Sequence, residues 1–376
     1  MLEKFKKFKK SKLQSEQPEQ KQQKTENSEK TKSTFEDVSY FEERPFLGEF
    51  PGDEVDEFGE FKEPTKEKKE WFWKRIKRVS EIFENADFPW YLDGAPNISL
   101  YGDKQIRAHK DLDISIFKED LEKLEEFLRE KGFGIFLNFE AKGKNLLQRV
   151  TAKEITEKIN KGENPYLTIC KIDPNGKIQK ETKDPFNFVD LHIHSKDAEG
   201  NVIISYNGIT LPKEFFEPIK KKLENGKIIN LSQPAIVAYH KLHSNRPYDL
   251  FDLKKLRPYL QKKDFQMLRE SLEEEIKRTR EKTKEKLQEI WNFLTSIIQS
   301  TSDPKTMEEK FWQHPEVKKY KSDPKVLEFI SSIFQSKNQN LTFEDFLKQS
   351  FEILKPSEQF EQKLKFIEEL EKLNTK

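Results

Sequence analysis

Apolar side chains recur with two different periods between residues 70 and 131 of the chain. One stripe at helical spacing predicts a helix that faces a core, and it consists of Phe72, Ile76, Val79 and Phe83. Residues 119–131 carry a second helical stripe, which ends at Gly132. Between the two, residues 111–117 (DLDISIF) alternate polar and apolar side chains strictly, which predicts a strand.

Five further apolar runs, each bounded by turn residues, predict more strands, at residues 132–139, 165–173, 187–194, 200–206 and 226–231. Beyond Ser232 the pattern is helical. It predicts helices over 233–244, 246–260 and 264–300, and three or four more in 305–376. The fold class is therefore α+β, a mixed β-sheet with helical cover, followed by an all-α C-terminal region.

The first part of the chain carries no such period. Residues 11–34 are almost entirely polar and predict disorder, and residues 35–61 mix aromatic and acidic side chains. The second stretch is interpreted as a solvated linker, with a short interaction segment as the alternative. We therefore divide the chain into a disordered tail at 1–65 (basic, then acidic-aromatic), a globular domain at 66–262 and a helical region at 263–376.

Composition narrows the class of protein. Hydrophobic residues make up 34% of the chain and charged residues 36%, which allows one sizeable core, and a net charge of +1 indicates no polyanionic partner. A single cysteine, Cys170, excludes a disulfide scaffold and a cysteine-based zinc site. No apolar run is long enough to span a bilayer, so we expect a cytoplasmic protein.

Two of the predicted strands carry acids among apolar residues. Alternation places Asp111 and Asp113 on one face of the first strand, and Asp190, His192 and His194 on one face of another. Neighbouring carboxylates on apolar strands are costly unless a partner neutralises them, and a divalent cation such as Mg²⁺ is the simplest partner. The alternative is ordinary acids at the end of a strand and on a half-exposed edge strand.

Three blocks, in the same order, resemble the nucleotidyltransferase superfamily, in particular its aminoglycoside 2''- and lincosamide nucleotidyltransferase branch. Residues 90–117 (WYLDGAPNISLYGDKQIRAHKDLDISIF) are similar to a W-L-x-G-G-W motif followed by R-x-H-[KR]-D-x-D-I. Residues 189–192 read V-D-L-H, and residues 246–253 are similar to an R-x-x-D-x-x-D-L helix. Two departures are Ala95 and Pro96, where the branch has glycine and tryptophan.

The resemblance implies a nucleotidyltransferase fold, a nucleoside triphosphate substrate and Mg²⁺, with two ions during turnover. It implies that Asp111, Asp113 and Asp190 are metal ligands, and that Asp190 is the catalytic residue if it acts as the general base rather than only as a ligand. The expected nucleotide-binding residues are Gly94, Ala95, Arg107, His109 and Lys110. The expected supporting residues are His192, Lys241, Arg246 and Asp249.

The implied function is metal-dependent transfer of a nucleoside monophosphate to an acceptor hydroxyl, with release of pyrophosphate. The acceptor is a small molecule such as an aminoglycoside-like compound, an RNA or a protein, and RNA is the less favoured because glutamates intersperse the basic helices at 254–286. One alternative is a degenerate domain that binds nucleotide or a partner without chemistry. Another is a metal-dependent phosphoesterase, because residues 189–200 (VDLHIHSKDAEG) also resemble the opening motif of polymerase-and-histidinol-phosphatase hydrolases.

Overall fold

A computed structural model describes residues 63–373 except 110, 142–143, 180–182, 245–248, 319 and 336–340. The predicted tail therefore lies almost entirely outside the described residues. The strands are β1 (Trp90–Asp93), β2 (Asp113–Phe117), β3 (Phe133–Ala141), β4 (Lys144–Arg149), β5 (Leu167–Lys171), β6 (Val189–Lys196), β7 (Val202–Ile203), β8 (Thr210–Leu211), β9 (Ile219–Lys222) and β10 (Ile228–Leu231).

Seven helices surround this sheet or follow it closely in the chain: α1 (Lys66–Ile82), α2 (Pro96–Tyr101), α3 (Leu121–Glu130), α4 (Ala152–Asn160), α5 (Pro234–Ser244), α6 (Asp249–Leu256) and the long α7 (Lys262–Ser300). Within the described ranges, five more complete the chain: α8 (Pro304–Phe311), α9 (Pro315–Lys318), α10 (Pro324–Gln335), α11 (Phe343–Leu354) and α12 (Glu358–Lys372). None of the helices in the part of the chain that the structure covers is both long and apolar enough to cross a membrane.

The strands form one ten-stranded mixed sheet in the order β4-β3-β5-β6-β2-β1-β10-β9, with β7 and β8 extending from β6. β2 runs parallel to β6 and antiparallel to β1, and β1 runs parallel to β10. The predicted α+β class, with a mixed sheet, helical cover and an all-helical C-terminal region, is confirmed.

The apolar faces of the central strands pack against the two helices predicted from their stripes. Ile114 and Ile116 of β2 share a core with Ile76 of α1 and Leu124 of α3, all fully buried. Burying a large aliphatic side chain stabilises the fold by about 1.5–3 kcal/mol, so this core fixes the positions of β1, β2 and β6. The polar faces of the same strands point away from it.

The C-terminal helices contribute to two further cores. The first half of α7 and the end of α12 pack with α5, through buried side chains that include Leu268, Ile367 and Tyr239. The second half of α7 packs with α8, α10 and α11, around Leu294 and Phe311. The proposed division between residues 262 and 263 stays a prediction.

Local details differ from the sequence-based expectations. Residues 140–164, for which the sequence predicts no element, contain the whole of β4 and the whole of α4. α4 begins with a capping box in which Thr151 and Glu154 exchange hydrogen bonds. β2 begins at Asp113 rather than at 111, and residues 304–372 form five helices rather than three or four. β4 escaped prediction because its sequence, KNLLQR, is polar at both ends and lacks strand alternation, although β4 pairs with β3, its neighbour in the chain.

A buried ion-pair cluster connects the segment before β2 to α5 and α6. Arg107 donates from Nε and Nη2 to the two carboxylate oxygens of Asp252, at 2.8 and 2.9 Å, and Lys241 Nζ lies 2.6 Å from Asp252 Oδ2. Lys241 also contacts Asp249 at 3.3 Å. Burial opposes the charge of Asp252, but the hydrogen bond from Arg107 and the nearby lysine lower its pKa, so the carboxylate stays ionised.

Removing the central carboxylate of this cluster leaves two buried cations without their shared partner. We expect Asp252→Ala to lower the free energy of unfolding by about 3–5 kcal/mol, the cost typical of breaking a buried ion pair. Chemical denaturation measures this. Glu126→Ala, which breaks the exposed pair with Arg129 on α3, is the control and should change stability within the error of the measurement. Equal stability of both variants would contradict the anchoring role of Asp252.

Candidate active site

Strand register gathers four aspartates on one part of the sheet. Asp113, the first residue of β2, lies opposite Asp93 on β1 and opposite Asp190 on β6. Asp111 precedes Asp113 by two residues. The Asp190 backbone N–H donates to the Leu112 carbonyl at 2.9 Å, so the contact with β6 extends to the residue before β2 begins. The three acids predicted from the sequence thus lie beside a fourth, Asp93.

The four carboxylates repel one another. Desolvation, together with the charges of Asp190, Asp93 and Asp111, raises the pKa of Asp113 to about 7 against the opposing effect of His192. The part of the chain that the structure describes therefore supplies less positive charge than these acids need for full ionisation at neutral pH. An added cation would remove this deficit.

Asp190 is held by two hydroxyl groups. Thr168 of β5 donates to Asp190 Oδ1 at 3.1 Å, and Tyr166 donates to Oδ2 at 2.9 Å. The Asp190 side chain is buried, whereas Tyr166 is 45% exposed. Asp190 Oδ2 is thus the carboxylate oxygen that lies beside a partly solvent-exposed side chain, that of Tyr166.

Asp93 is a site residue that the sequence reasoning missed, because it occupies the unspecified position of the W-L-x-G motif. It is almost completely buried, and its carboxylate accepts hydrogen bonds from Gly94 N at 2.7 Å and Ser115 Oγ at 2.9 Å, while Ser232 Oγ lies 3.1 Å away. Burial opposes its ionisation, but the nearby His240 and His192 hold its pKa far below the ordinary value. A buried acid at the end of an apolar strand was the available signal.

His192 supplies positive charge at the edge of this group. Its Nδ1 lies 3.5 Å from Asp93 Oδ2, and its side chain is 44% exposed. Partial desolvation by the surrounding protein lowers its pKa, but the contact with Asp93 and the charges of Asp113 and Asp190 outweigh that effect and raise the pKa to about 9. His192 is therefore protonated at neutral pH, which suits the supporting role predicted for it.

Gly94 makes the turn between β1 and α2. Its φ of +74° lies in the left-handed region, and a Cβ atom at this position would lie 2.7 Å from Asp113 Oδ2. Its N–H is already used by Asp93, so the contribution of Gly94 that the geometry favours is the space it leaves beside Asp113. Ala95 occupies the N-cap position of α2 without a side-chain cap, and Pro96 occupies the first turn, where a missing N–H costs nothing, so α2 forms despite both departures.

The remaining predicted nucleotide and supporting residues are placed apart from the aspartates or outside the described residues. Arg107, Lys241 and Asp249 belong to the buried ion-pair cluster around Asp252. His109 contacts Ser99 Oγ at 2.9 Å and packs against the ring of Phe72, and burial lowers its pKa well below the usual value. Lys110 and Arg246 lie outside the described residues. The nucleotide-binding and supporting roles of all six stay predictions.

The raised pKa of Asp113 gives a pH-dependent cost to folding without metal. Because the folded pKa is about 7 and the unfolded one near 3.8, the cost develops as the pH rises from about 4 to about 7 and stays constant above that. In excess chelator, we expect Asp113→Asn to raise the melting temperature by at least about 3 °C at pH 8, with the gain shrinking toward pH 4. Asp87→Asn, an exposed acid before β1, should show no such trend. A pH-independent difference at position 113 would contradict the repulsion.

Comparison with known proteins shows which family part of this chain resembles. Residues 75–152, which include β1, α2, β2 and the first two aspartates of the predicted metal site, match the family model described as aminoglycoside-2''-adenylyltransferase. No curated protein sequence matches the chain.

Several solved structures are similar. They include the lincosamide antibiotic adenylyltransferase LnuA bound to lincomycin (15% identity, 50% of this chain and 97% of that one, TM-score 0.32). An antigenic nucleotidyltransferase-like protein from Paracoccidioides brasiliensis also matches (14% identity, 55% of this chain and 87% of that one, TM-score 0.30). The antibiotic-resistance factor ANT(2'')-Ia matches as well (10% identity, 54% of this chain and 90% of that one, TM-score 0.31). The family match over residues 75–152 confirms the predicted resemblance of this part of the chain to the aminoglycoside 2''-nucleotidyltransferases.

Proposed function

We propose that the chain transfers a nucleoside monophosphate from a nucleoside triphosphate to a hydroxyl group of a small, antibiotic-like acceptor, and that the reaction depends on Mg²⁺. The observation that carries the proposal is the register of Asp113 between Asp93 and Asp190, which leaves a half-buried carboxylate with a pKa near 7. The family match over residues 75–152 supports the reaction class and the kind of acceptor.

The residues present fit a magnesium site. Carboxylate oxygens are the ligands that Mg²⁺ prefers, so Asp111 and Asp113 would hold one or two ions, while Asp190 serves as the third ligand or as the general base. A carboxyl group among other carboxylates has a raised pKa when no cation offsets their negative charges, as Asp113 does. When bound, the ion neutralises charge on the triphosphate and on the leaving pyrophosphate.

Asp190 is the general base in this proposal. The acceptor oxygen forms a bond to the α-phosphorus, the bond from that phosphorus to the bridging oxygen of the pyrophosphate breaks, and pyrophosphate leaves with the electron pair. The acceptor proton passes to Asp190 Oδ2, the oxygen that faces Tyr166. Thr168 holds the other oxygen and so keeps the carboxylate oriented during the transfer.

Asp93 and His192 act on the surroundings of the reacting groups. Asp93 fixes the Gly94 turn through the Gly94 N–H, and the absent Cβ keeps room beside Asp113 for metal and phosphate. Protonated His192 places a positive charge next to the carboxylates, on the exposed side where the triphosphate would enter. Both arrangements are fixed before substrate binds, which avoids reorganisation during the reaction.

Substitutions that leave the domain folded test the roles of Asp113 and Asp190. With α-labelled triphosphates, Mg²⁺ and a panel of aminoglycosides and lincosamides, Asp113→Ala should lower turnover by on the order of 10²–10³. Asp190→Asn should lower turnover similarly while triphosphate affinity stays within a few-fold. Asp87→Asn should match the wild type. Near-normal turnover of Asp113→Ala would remove the metal-ligand role of Asp113, and joint loss of affinity and turnover in Asp190→Asn would make Asp190 a ligand rather than a base.

The Gly94 turn offers a test with a matched control. Gly94→Ala introduces both strain at positive φ and a contact with Asp113, whereas Gly226→Ala, in the β9–β10 turn, introduces the same strain (φ +80°) with nothing within 4 Å of the new atom. We expect similar losses of stability, but a fall in kcat/KM of at least about tenfold for Gly94→Ala alone. Equal activity of the two variants would show that the space beside Asp113 is not needed.

A further inference from the structure

A second group of metal-ligating side chains lies beside the four aspartates. Asp93 on β1, His194 on β6 and His240 on α5 each direct one ligand atom into a common space, and these atoms all lie within 4.8 Å of one another. Asp93 Oδ2 and His240 Nε2 are 3.8 Å apart. Three elements that are distant in the sequence therefore converge on one point.

The histidine nitrogens at this point lack partners. His194 is 3% exposed, and within the described residues neither of its ring nitrogens has a hydrogen-bond partner. His240 Nε2 is also buried, and its contact with Asp93 is longer than a hydrogen bond. Buried polar atoms are nearly always satisfied in folded proteins, because each unsatisfied one costs about 1–3 kcal/mol. These nitrogens therefore call for a partner that the described residues do not provide, and a metal ion can serve one nitrogen of each ring.

The surrounding groups hold two of the side chains in the way that metal ligands are usually held. His240 Nδ1 lies 3.1 Å from the Tyr206 hydroxyl, which orients the ring and leaves Nε2 for another partner. Asp93 receives the Ser115 hydroxyl on the oxygen nearest to His240, at 2.9 Å. His194 is fixed by packing, since its ring stacks between those of Tyr91 and His240 at centroid distances of 6.2 Å.

Both histidines are in the protonation state that binds metal. Burial lowers the pKa of His194 to about 3, helped by its neighbour His240, and burial lowers the pKa of His240 to about 4. Each imidazole is therefore neutral at pH 7 and has a lone pair to offer. The carboxylate of Asp93 is ionised, so the set carries one negative charge in total.

We propose that Asp93, His194 and His240 bind a divalent transition-metal ion that prefers imidazole nitrogen, of which Zn²⁺ is the type case, at a site separate from the Asp111–Asp113–Asp190 carboxylates. Two imidazoles and one carboxylate suit such ions better than Mg²⁺, which prefers oxygen ligands. Zinc ligands at about 2.1 Å lie about 3.4 Å apart around a tetrahedral ion, so the ligand atoms need to approach one another by no more than about 1.4 Å.

Binding at this point has a structural consequence. The ion would join β1, β6 and α5 directly behind the Gly94 turn, and it would bind the folded chain far better than the unfolded one. Folded-state ligands raise the melting temperature by mass action, and a saturating ion should raise it by about 5 °C or more.

The test uses the full chain, freed of metal by chelation and returned to buffer with excess Mg²⁺ to fill the carboxylate site. Co²⁺ replaces Zn²⁺ as a coloured probe, because its visible absorption reports nitrogen coordination at low coordination number. The chain has six histidines and one buried cysteine, so few competing sites exist. Four proteins are compared: the wild type, His240→Gln, Asp113→Asn for the carboxylate site, and His314→Gln for a histidine beyond α8.

We expect one Co²⁺ per chain in the wild type, Asp113→Asn and His314→Gln, with affinity at least about tenfold weaker in His240→Gln. Zn²⁺ should raise the melting temperature of the first three proteins only. Loss of binding in Asp113→Asn with retention in His240→Gln would overturn the assignment, because the ion would then sit on the carboxylates. Absence of stoichiometric binding in the wild type would overturn it as well.

A measurement on the wild type alone guards against misfolding of the histidine variant. X-ray absorption at the zinc edge of the stoichiometric complex should show the scattering pattern of two imidazole rings. A shell of oxygen ligands without imidazole scattering would overturn the site, and would do so without bearing on nucleotidyl transfer.

Discussion

Mutual repulsion among Asp93, Asp111, Asp113 and Asp190 is the constraint on which the rest of this site depends. Three adjacent strands, packed on a core of fully buried aliphatic side chains, hold these acids together, so the acids cannot move apart without unpairing the sheet. The hydrophobic burial that holds the strands opposes the Coulomb energy of the carboxylates. A folded domain that keeps such a cluster stores unfavourable electrostatic energy that a bound cation can release.

The chain compensates two of these acids with its own groups and leaves a third uncompensated. Asp93 has hydroxyl, amide and histidine partners, and Asp190 has two hydroxyl partners. Asp113 has the raised pKa of a carboxyl that lacks its counter-charge. The positive charges of Arg107 and Lys241 pair with Asp252 instead, and these ion pairs anchor α5 and α6. The proposed binding of metal, triphosphate and acceptor rests on this unequal distribution.

Local hydrophobic patterns predicted most of the fold and three of the four aspartates of the candidate site. Strict alternation in residues 111–117 and 187–194 placed Asp111, Asp113 and Asp190 on polar faces, and helical stripes located α1 and α3, because these signals depend only on neighbouring residues. Asp93 and its link to His194 and His240 were missed, because they depend on the register of β1, β2 and β6 and on how α5 packs. Pairing between distant segments leaves no trace in a single sequence. β4 and β9 pair with their chain neighbours β3 and β10, and they were missed because their sequences, KNLLQR and IKKK, carry few apolar side chains.

The central claim is that the bond broken lies between the α-phosphorus and the pyrophosphate. The most direct measurement compares two triphosphate analogues with Mg²⁺ and a competent acceptor, one with a non-cleavable α,β bridge and one with a non-cleavable β,γ bridge. Nucleotidyl transfer predicts a labelled acceptor and a released pyrophosphate analogue with the β,γ-blocked compound, and no product with the α,β-blocked one. Turnover of the α,β-blocked compound with release of the γ-phosphate would contradict the account.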